Sequence, residues 1–396
     1  MEEVYRSDTL LVRCIPAEDR SRWVVTFDHY GGGSGFDRRG FGEQFLAQAG
    51  VSQLNILGSG NHWYQYPDIE LALATARASM AGARRIVTYG SSMGGYAAIR
   101  FAEQLGAHAC LALSPQYSND PRKVPFEGRW RNDAYAIAWM AELDGPIRPG
   151  VRTVIMTDAR GEDAEHARLI AGEIPVDLVS WAYAGHPVGT FLGSVGLLRR
   201  AVLDLVDDRF DPVAFGLEAE ARRRESPVYL GELARLQPPW RSRTGIALAR
   251  QAVARAPDDP LAHHTLAKKL TDAGEHEEAL PLHARAVELG HGFSGYGLPY
   301  SEALAKAGRI EQALAVALEL VDREPGSAAL QSWLGQVHWT MGRREEARHH
   351  ATLARDLAPS NHFYAGTLAL YVRRSRSRLR RIGGGLLRRL GMRRRP

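Results

Sequence analysis

Three groups of residues in this chain have the chemistry of nucleophilic catalysis. The first is Gly90-Ser91-Ser92-Met93-Gly94, which follows the β-branched run Ile86-Val87-Thr88 and precedes Gly95-Tyr96-Ala97-Ala98. A strand that turns sharply into a helix over this pattern lifts the serine hydroxyl to the apex, since a Cβ at either glycine would clash with the strand or helix beside it. The second group is the loop Asp158-Ala159-Arg160-Gly161-Glu162-Asp163, and the third is Gly185-His186-Pro187. A serine hydroxyl is a weak nucleophile until an imidazole takes its proton, and the imidazole needs a carboxylate to set its tautomer. Ser92 as nucleophile, an aspartate as acid and His186 as base supply that set. Asp163 is favoured as the acid, because it lies past the expected strand end and can reach back to an imidazole. Asp158, at the strand end itself, is the alternative, and Glu162 a remote third. The aspartate left over is expected to hold the loop through backbone hydrogen bonds. The plainer alternatives are a helix-capping serine and a loop histidine that caps the next helix.

These groups need a frame. The pattern predicts strands at 9–15, 22–28, 53–57, 86–89, 109–113, 151–157 and 176–183, and helices at 40–49, 68–80, 162–171 and 188–206. Strands apolar on both faces that alternate with helices imply a mostly parallel sheet covered on both sides. Residues 115–148 break the alternation with Pro115, Pro121, Pro125 and Pro146 and the aromatics Tyr117, Phe126, Trp130, Tyr135 and Trp139. They are expected to form a small cap over the site.

With this elbow, acid loop and Gly185-His186, the stretch 8–206 resembles the α/β-hydrolase family. The resemblance implies a doubly wound sheet with Ser92 as nucleophile, Asp163 as acid and His186 as base, and no metal or organic cofactor. It implies an oxyanion hole made by the N–H of Met93 and a second N–H from the loop after strand 22–28. There, His29-Tyr30-Gly31-Gly32-Gly33 is loosely similar to the family's His-Gly-Gly-Gly stretch. Tyr30 separates the histidine from the glycines, so His29, Tyr30 and Gly31 all remain candidates for the second donor. His62, Trp63 and Tyr64 follow the third predicted strand. They form either a stacking wall for a sugar or acyl group, or a loop pinned by Trp63 with His62 solvated.

The second half repeats. Gly274, Gly308 and Gly342 are 34 residues apart, as are Ala279, Ala313 and Ala347, and Pro325 and Pro359 keep the same step. This period resembles the tetratricopeptide repeat, an all-α helical solenoid in which small residues let paired helices approach. The units are 260–293, 294–327 and 328–361, with 244–256 the second half of a degenerate earlier unit and 362–372 the start of a capping helix. The glycine-rich stretch 291–297 is expected to spoil the first helix of the middle unit. His263-His264 and His349-His350 are read as surface residues, because neighbours on a helix point in different directions. The expected organisation is thus a hydrolase-like domain over 1–208, a linker over 209–240 with some helix near 218–225, repeats over 241–372 and a tail over 373–396.

An apolar share of 45% and a charged share of 24% place the chain among globular proteins. No signal peptide or membrane span is evident, and Cys14 and Cys110 read as buried thiols of a reducing compartment, so a cytoplasmic location is expected. The net charge of +5 hides an asymmetry: residues 373–396 hold eleven arginines and no acid, and without them residues 1–372 carry −6. Such a tail can sit on anionic lipid at the inner membrane face, grip nucleic acid, or stay solvated. No nucleic-acid-binding fold accompanies it, so nucleic acid is not an expected partner. The functions that fit are a serine hydrolase of acyl esters, with the repeats docking a protein partner, or an O-acyltransferase acting on a glycan with the same residues. A third is a repeat scaffold with a degenerate hydrolase half.

Overall fold

The computed structural model describes residues 1–374 apart from 32, 34, 144, 149 and 360. The expectations for the tail fall almost wholly on residues 375–396, outside those described. The chain divides between Leu233 and Ala234 into two compact units.

The first unit is built on a mixed eight-stranded sheet. Its strands are β1 (Glu2–Arg6), β2 (Leu10–Ile15), β3 (Arg22–Phe27), β4 (Ser52–Gly58), β5 (Arg85–Ser91), β6 (Ala109–Leu113), β7 (Arg152–Asp158) and β8 (Val176–Trp181), in the order β1-β2-β4-β3-β5-β6-β7-β8. The pairs β1/β2 and β2/β4 are antiparallel, and the rest are parallel. Every residue of β4 and β6 is buried. In β6 this matches a run without polar alternation, whereas β4 buries Gln53 and Asn55 by bonding them to Glu43 O at 3.1 Å and Thr26 Oγ1 at 2.8 Å. Helices Met93–Arg100 and Leu198–Val206 both pack on β3, β5 and β6. Cys14 and Cys110 are buried and free.

One strand was not expected, and three expectations need correction in this unit. The unexpected strand is β1, whose backbone is satisfied by pairing along β2 while its side chains stay largely exposed. The helix expected over 40–49 is confined to Glu43–Gln48, after Gly42 at φ 72°. The helix expected over 188–206 is two helices, Val188–Ser194 and Leu198–Val206, with Gly196 at φ 72° between them. Most of the expected linker 209–240 is folded. Helix Pro212–Arg222 starts at Asp211, whose carboxylate accepts from the N–H of Val213 at 2.9 Å and Ala214 at 3.0 Å. It packs on β8, burying Phe215, and the Trp181 indole donates to Gly216 O at 3.0 Å. Its charged face hides an apolar one that only the sheet reveals.

The second unit is a helical repeat array. Helix Ser242–Arg255 precedes three antiparallel pairs: Pro260–Ala273 with His276–Leu289, Ser294–Lys306 with Ile310–Arg323, and Ala328–Thr340 with Arg344–Leu357. The turns fall on Gly274, Gly308 and Gly342 at φ 85°, 78° and 80°, where a side chain would be strained. Ala279, Ala313 and Ala347 are fully buried one turn later, where the paired helices close. Helix Ser294–Lys306 is not spoiled by its glycines: a Cβ on Gly297 would stand 2.6 Å from Leu320 Cδ2, so the glycine admits the packing helix. His263 is not a surface residue. It is buried, and its Nε2 donates to Pro257 O at 2.7 Å. Among the described residues no helix is long and apolar enough to cross a membrane.

His283 is expected to contribute to an acid sensitivity of this array. It is buried, and its Nε2 lies 3.1 Å from Thr271 Oγ1, whose own proton goes to Ala267 O. Burial first, then the nearby cationic groups, lower its pKa to about 4. The unfolded chain takes up this proton near pH 6.5, so the folded array loses stability as pH falls from there towards 4. His283→Gln keeps the donor to Thr271 and is expected to flatten that part of a Tm-against-pH curve; an unchanged slope would contradict this origin.

Candidate active site

Ser92 sits between β5 and helix Met93–Arg100 at φ 55°, ψ −118°, a backbone region that non-glycine residues rarely occupy. The turn closes so tightly that a Cβ on Gly90 would meet Gly94 O at 2.1 Å. A Cβ on Gly94 would meet Phe27 O at 2.5 Å and Asp28 O at 2.7 Å. The Ser92 N–H is tied to Leu113 O of β6 at 2.9 Å.

Asp163 lies in the first turn of helix Gly161–Glu173, after β7, and His186 lies in the loop after β8. The sheet brings the three side chains to one edge. His186 Nε2 is 3.1 Å from Ser92 Oγ, and His186 Nδ1 is 2.7 Å from Asp163 Oδ2. A carboxylate only accepts, so Nδ1 carries the imidazole proton and Nε2 is free to accept the serine O–H. Gln116 Nε2 then donates to Ser92 Oγ at 3.0 Å.

Asp163 is buried, and burial alone would raise its pKa. The His186 hydrogen bond and charge, with the Arg129 guanidinium, outweigh that and hold it below the usual carboxylate range. Asp158 has the opposite balance. Burial raises it, against bonds from the N–H of Gly185 at 2.8 Å and of Arg160 at 2.9 Å. It does not reach the imidazole by any hydrogen bond; it braces the residue before His186. Glu162 is exposed.

Of the candidates for a second oxyanion donor, Gly31 is engaged, since its N–H donates to Asn61 Oδ1 at 3.0 Å. His29 and Tyr30 remain, with Met93 at the helix start. Asp28, just before them, anchors this loop through Arg38 at 2.9 Å and the Gly58 N–H at 3.2 Å.

The expected stacking wall is not built from Trp63 and Tyr64, which are both fully buried. The Tyr64 hydroxyl accepts from Asp28 N–H at 2.5 Å and donates to Ile56 O at 3.0 Å, so it serves as a strut under the loop. His62 is exposed, with Nδ1 3.3 Å from the Tyr66 hydroxyl. The ring beside the imidazole is instead Trp130, 5.3 Å away, with Tyr30 packed on Trp130 at 5.7 Å.

Sequence reasoning missed Gln116, Glu127 and Arg129. The only local signal was Glu127-Gly128-Arg129, a charged pair inside an aromatic, proline-rich stretch. Nothing in its spacing points to an acid 34 residues away along the chain.

No family model matches the chain, and no curated protein matches it. Several solved structures align with part of it. A thermophilic TPR protein of Thermus thermophilus is 21% identical over 44% of this chain and 96% of its own, with a TM-score of 0.36. YrrB, a TPR protein with an unusual peptide-binding site, is 20% identical over 45% and 87%, with a TM-score of 0.33. The capsule O-acetyltransferase of Neisseria meningitidis serogroup A is 10% identical over 51% and 93%, with a TM-score of 0.38.

Tyr64→Phe removes the acceptor for a buried N–H and a donor to a buried carbonyl. Chemical denaturation is expected to show a loss of about 2 kcal/mol. An unchanged stability with a raised KM would instead return Tyr64 to the substrate wall.

Proposed function

We propose that this chain is a serine hydrolase of the α/β-hydrolase kind that cleaves carboxylic esters, joined to a tetratricopeptide-like array that docks a protein partner. The observation that carries the proposal is the hydrogen-bonded chain Ser92–His186–Asp163, with contacts of 3.1 and 2.7 Å, held on a strained strand-to-helix turn.

The steps follow from those contacts. Ser92 Oγ attacks the ester carbonyl as its proton passes to His186 Nε2. The imidazolium that forms is stabilised by Asp163. The negative charge on the carbonyl oxygen is met by the N–H of Met93 and that of His29 or Tyr30. His186 then protonates the leaving alcohol, and an acyl-serine remains. Water, activated by the same imidazole, releases the acid. Trp130 and Tyr30 supply the apolar surface beside the reacting atoms. No step needs a metal or an organic cofactor.

Support for the docking role comes from the repeat array. Helices Ser294–Lys306 and Ala328–Thr340 flank a cavity of about 450 Å³ whose apolar lining is Ala305, Ile310, Trp333 and Val337 and whose polar lining is Glu302, Lys306, Gln336 and Thr340. Its size and lining suit an apolar side chain presented by a partner protein.

A fluorophosphonate probe is expected to label wild type and to leave Ser92→Ala unlabelled. Asp163→Asn is expected to lower kcat on an activated acyl ester by on the order of 10⁴. Acylated sugar formed in place of free acid, when a sugar acceptor is added, would favour the O-acyltransferase alternative. A folded wild type that neither takes the probe nor turns over any ester of a broad panel would leave only the scaffold.

A further inference from the structure

The two oxygens of Asp163 are committed to different groups. Oδ2 faces His186 Nδ1, and Oδ1 accepts from Arg129 Nη1 at 2.6 Å. The same guanidinium grips Glu127 in a fork: Nε lies 3.1 Å from both oxygens and Nη2 lies 2.7 Å from Oε2. Glu127 is fixed in turn by His166 Nε2 at 3.1 Å, and His166 Nδ1 accepts the N–H of Tyr117 at 3.1 Å. That last bond decides the state of His166. Its Nδ1 must be bare, so it is neutral and its one proton is donated to Glu127. Asp163, Glu127 and His166 are all buried. Arg129 also lies over the Trp130 ring at 4.5 Å, and that ring packs on His186.

We propose that Arg129, locked by Glu127 and His166, is a positioning residue for the acid of the site, and that segment 115–148 is thereby a working part of the site as well as a cover, an inference that rests on the hydrolase reading above. The charges close around it. Asp163 and Glu127 are anions and Arg129 a cation, so the cluster carries one net negative charge. The imidazolium that forms as His186 takes the serine proton brings that to zero. Asp158 at the end of β7 also acts on Asp163 as a like charge, and it is already bound to two backbone N–H groups. Burial would raise Glu127, but the bond from His166 and the bonds and charge of Arg129 outweigh it and bring Glu127 to about 2, which keeps it ionised through the working range. A lysine could supply the charge at one carboxylate but not the planar fork that spans both.

The test is the pH profile of kcat/KM on an activated acyl ester, with folding followed by circular dichroism. Arg129→Met leaves two buried carboxylates without their cation, so the acid limb is expected to move to higher pH by about one unit, a tenfold loss on its acidic side that recovers in alkali. Glu127→Gln removes an anion, and the limb is expected to move the other way. Arg129→Lys is expected to return the limb towards the wild-type position with kcat still reduced. Limbs that coincide with wild type, with losses equal at every pH, would show a structural role only and overturn the proposal. Should Arg129→Met not fold, Glu127→Gln decides alone, and a limb that stays in place or moves upward overturns it. A wild type with neither turnover nor probe labelling removes the hydrolase reading and this inference together. A labelled, active wild type whose variants share its profile removes this inference alone.

Discussion

A serine at φ 55° pays a conformational cost of about 1–3 kcal/mol, and it stays there only where its surroundings leave no other path. Here the constraint is backbone against backbone. The Gly94 backbone presses on the carbonyls of Phe27 and Asp28, and Gly90 presses on Gly94. Glycine is the one residue that fits either position. The N–H of Ser92 is held by β6, and helix Met93–Arg100 is buried almost throughout its length. Every other part of the site is measured from the point this turn fixes.

Two aspartates five residues apart, one ending β7 and one in the first turn of the helix after it, show how environment sorts chemically identical groups. Asp163 is buried beside an imidazole and a guanidinium, so its charged form is favoured. Asp158 is buried with backbone N–H donors alone, and burial has the greater effect. The first is oriented towards His186, while the second holds the chain that carries His186. Segment 115–148 adds Gln116 at the serine and Arg129 at the acid, so the site draws on the loops after β5, β6, β7 and β8.

The helical unit obeys a simpler rule. Left-handed glycines turn each pair, and alanines one turn later let the helices close. Each repeat is tied to the next by contacts such as Trp333 Nε1 donating to Ser301 Oγ at 2.7 Å, with Ser301 donating to Ala313 O at 2.7 Å. At the far end, Tyr371 stacks on Trp339 at 4.2 Å and covers the last pair.

Patterns written in neighbouring residues were legible without coordinates. The glycines around Ser92, the apolar run of β6, the 34-residue step of glycine and alanine, and the placing of Asp163 and His186 just past strand ends all express local constraints. The strand at Glu2–Arg6 and the start and packing of the helix Pro212–Arg222 were not legible, because each is stabilised by a partner strand or sheet distant in the chain. Trp63 and Tyr64 look like surface aromatics until the fold encloses them. The sequence alone therefore determined which residues could do chemistry and how the helices repeat. Only the tertiary structure decided which aspartate meets the imidazole and that Arg129 bonds to the same carboxylate. Periodicity and steric demands act over a few residues, whereas a hydrogen bond between distant side chains exists only once the sheet has set their separation.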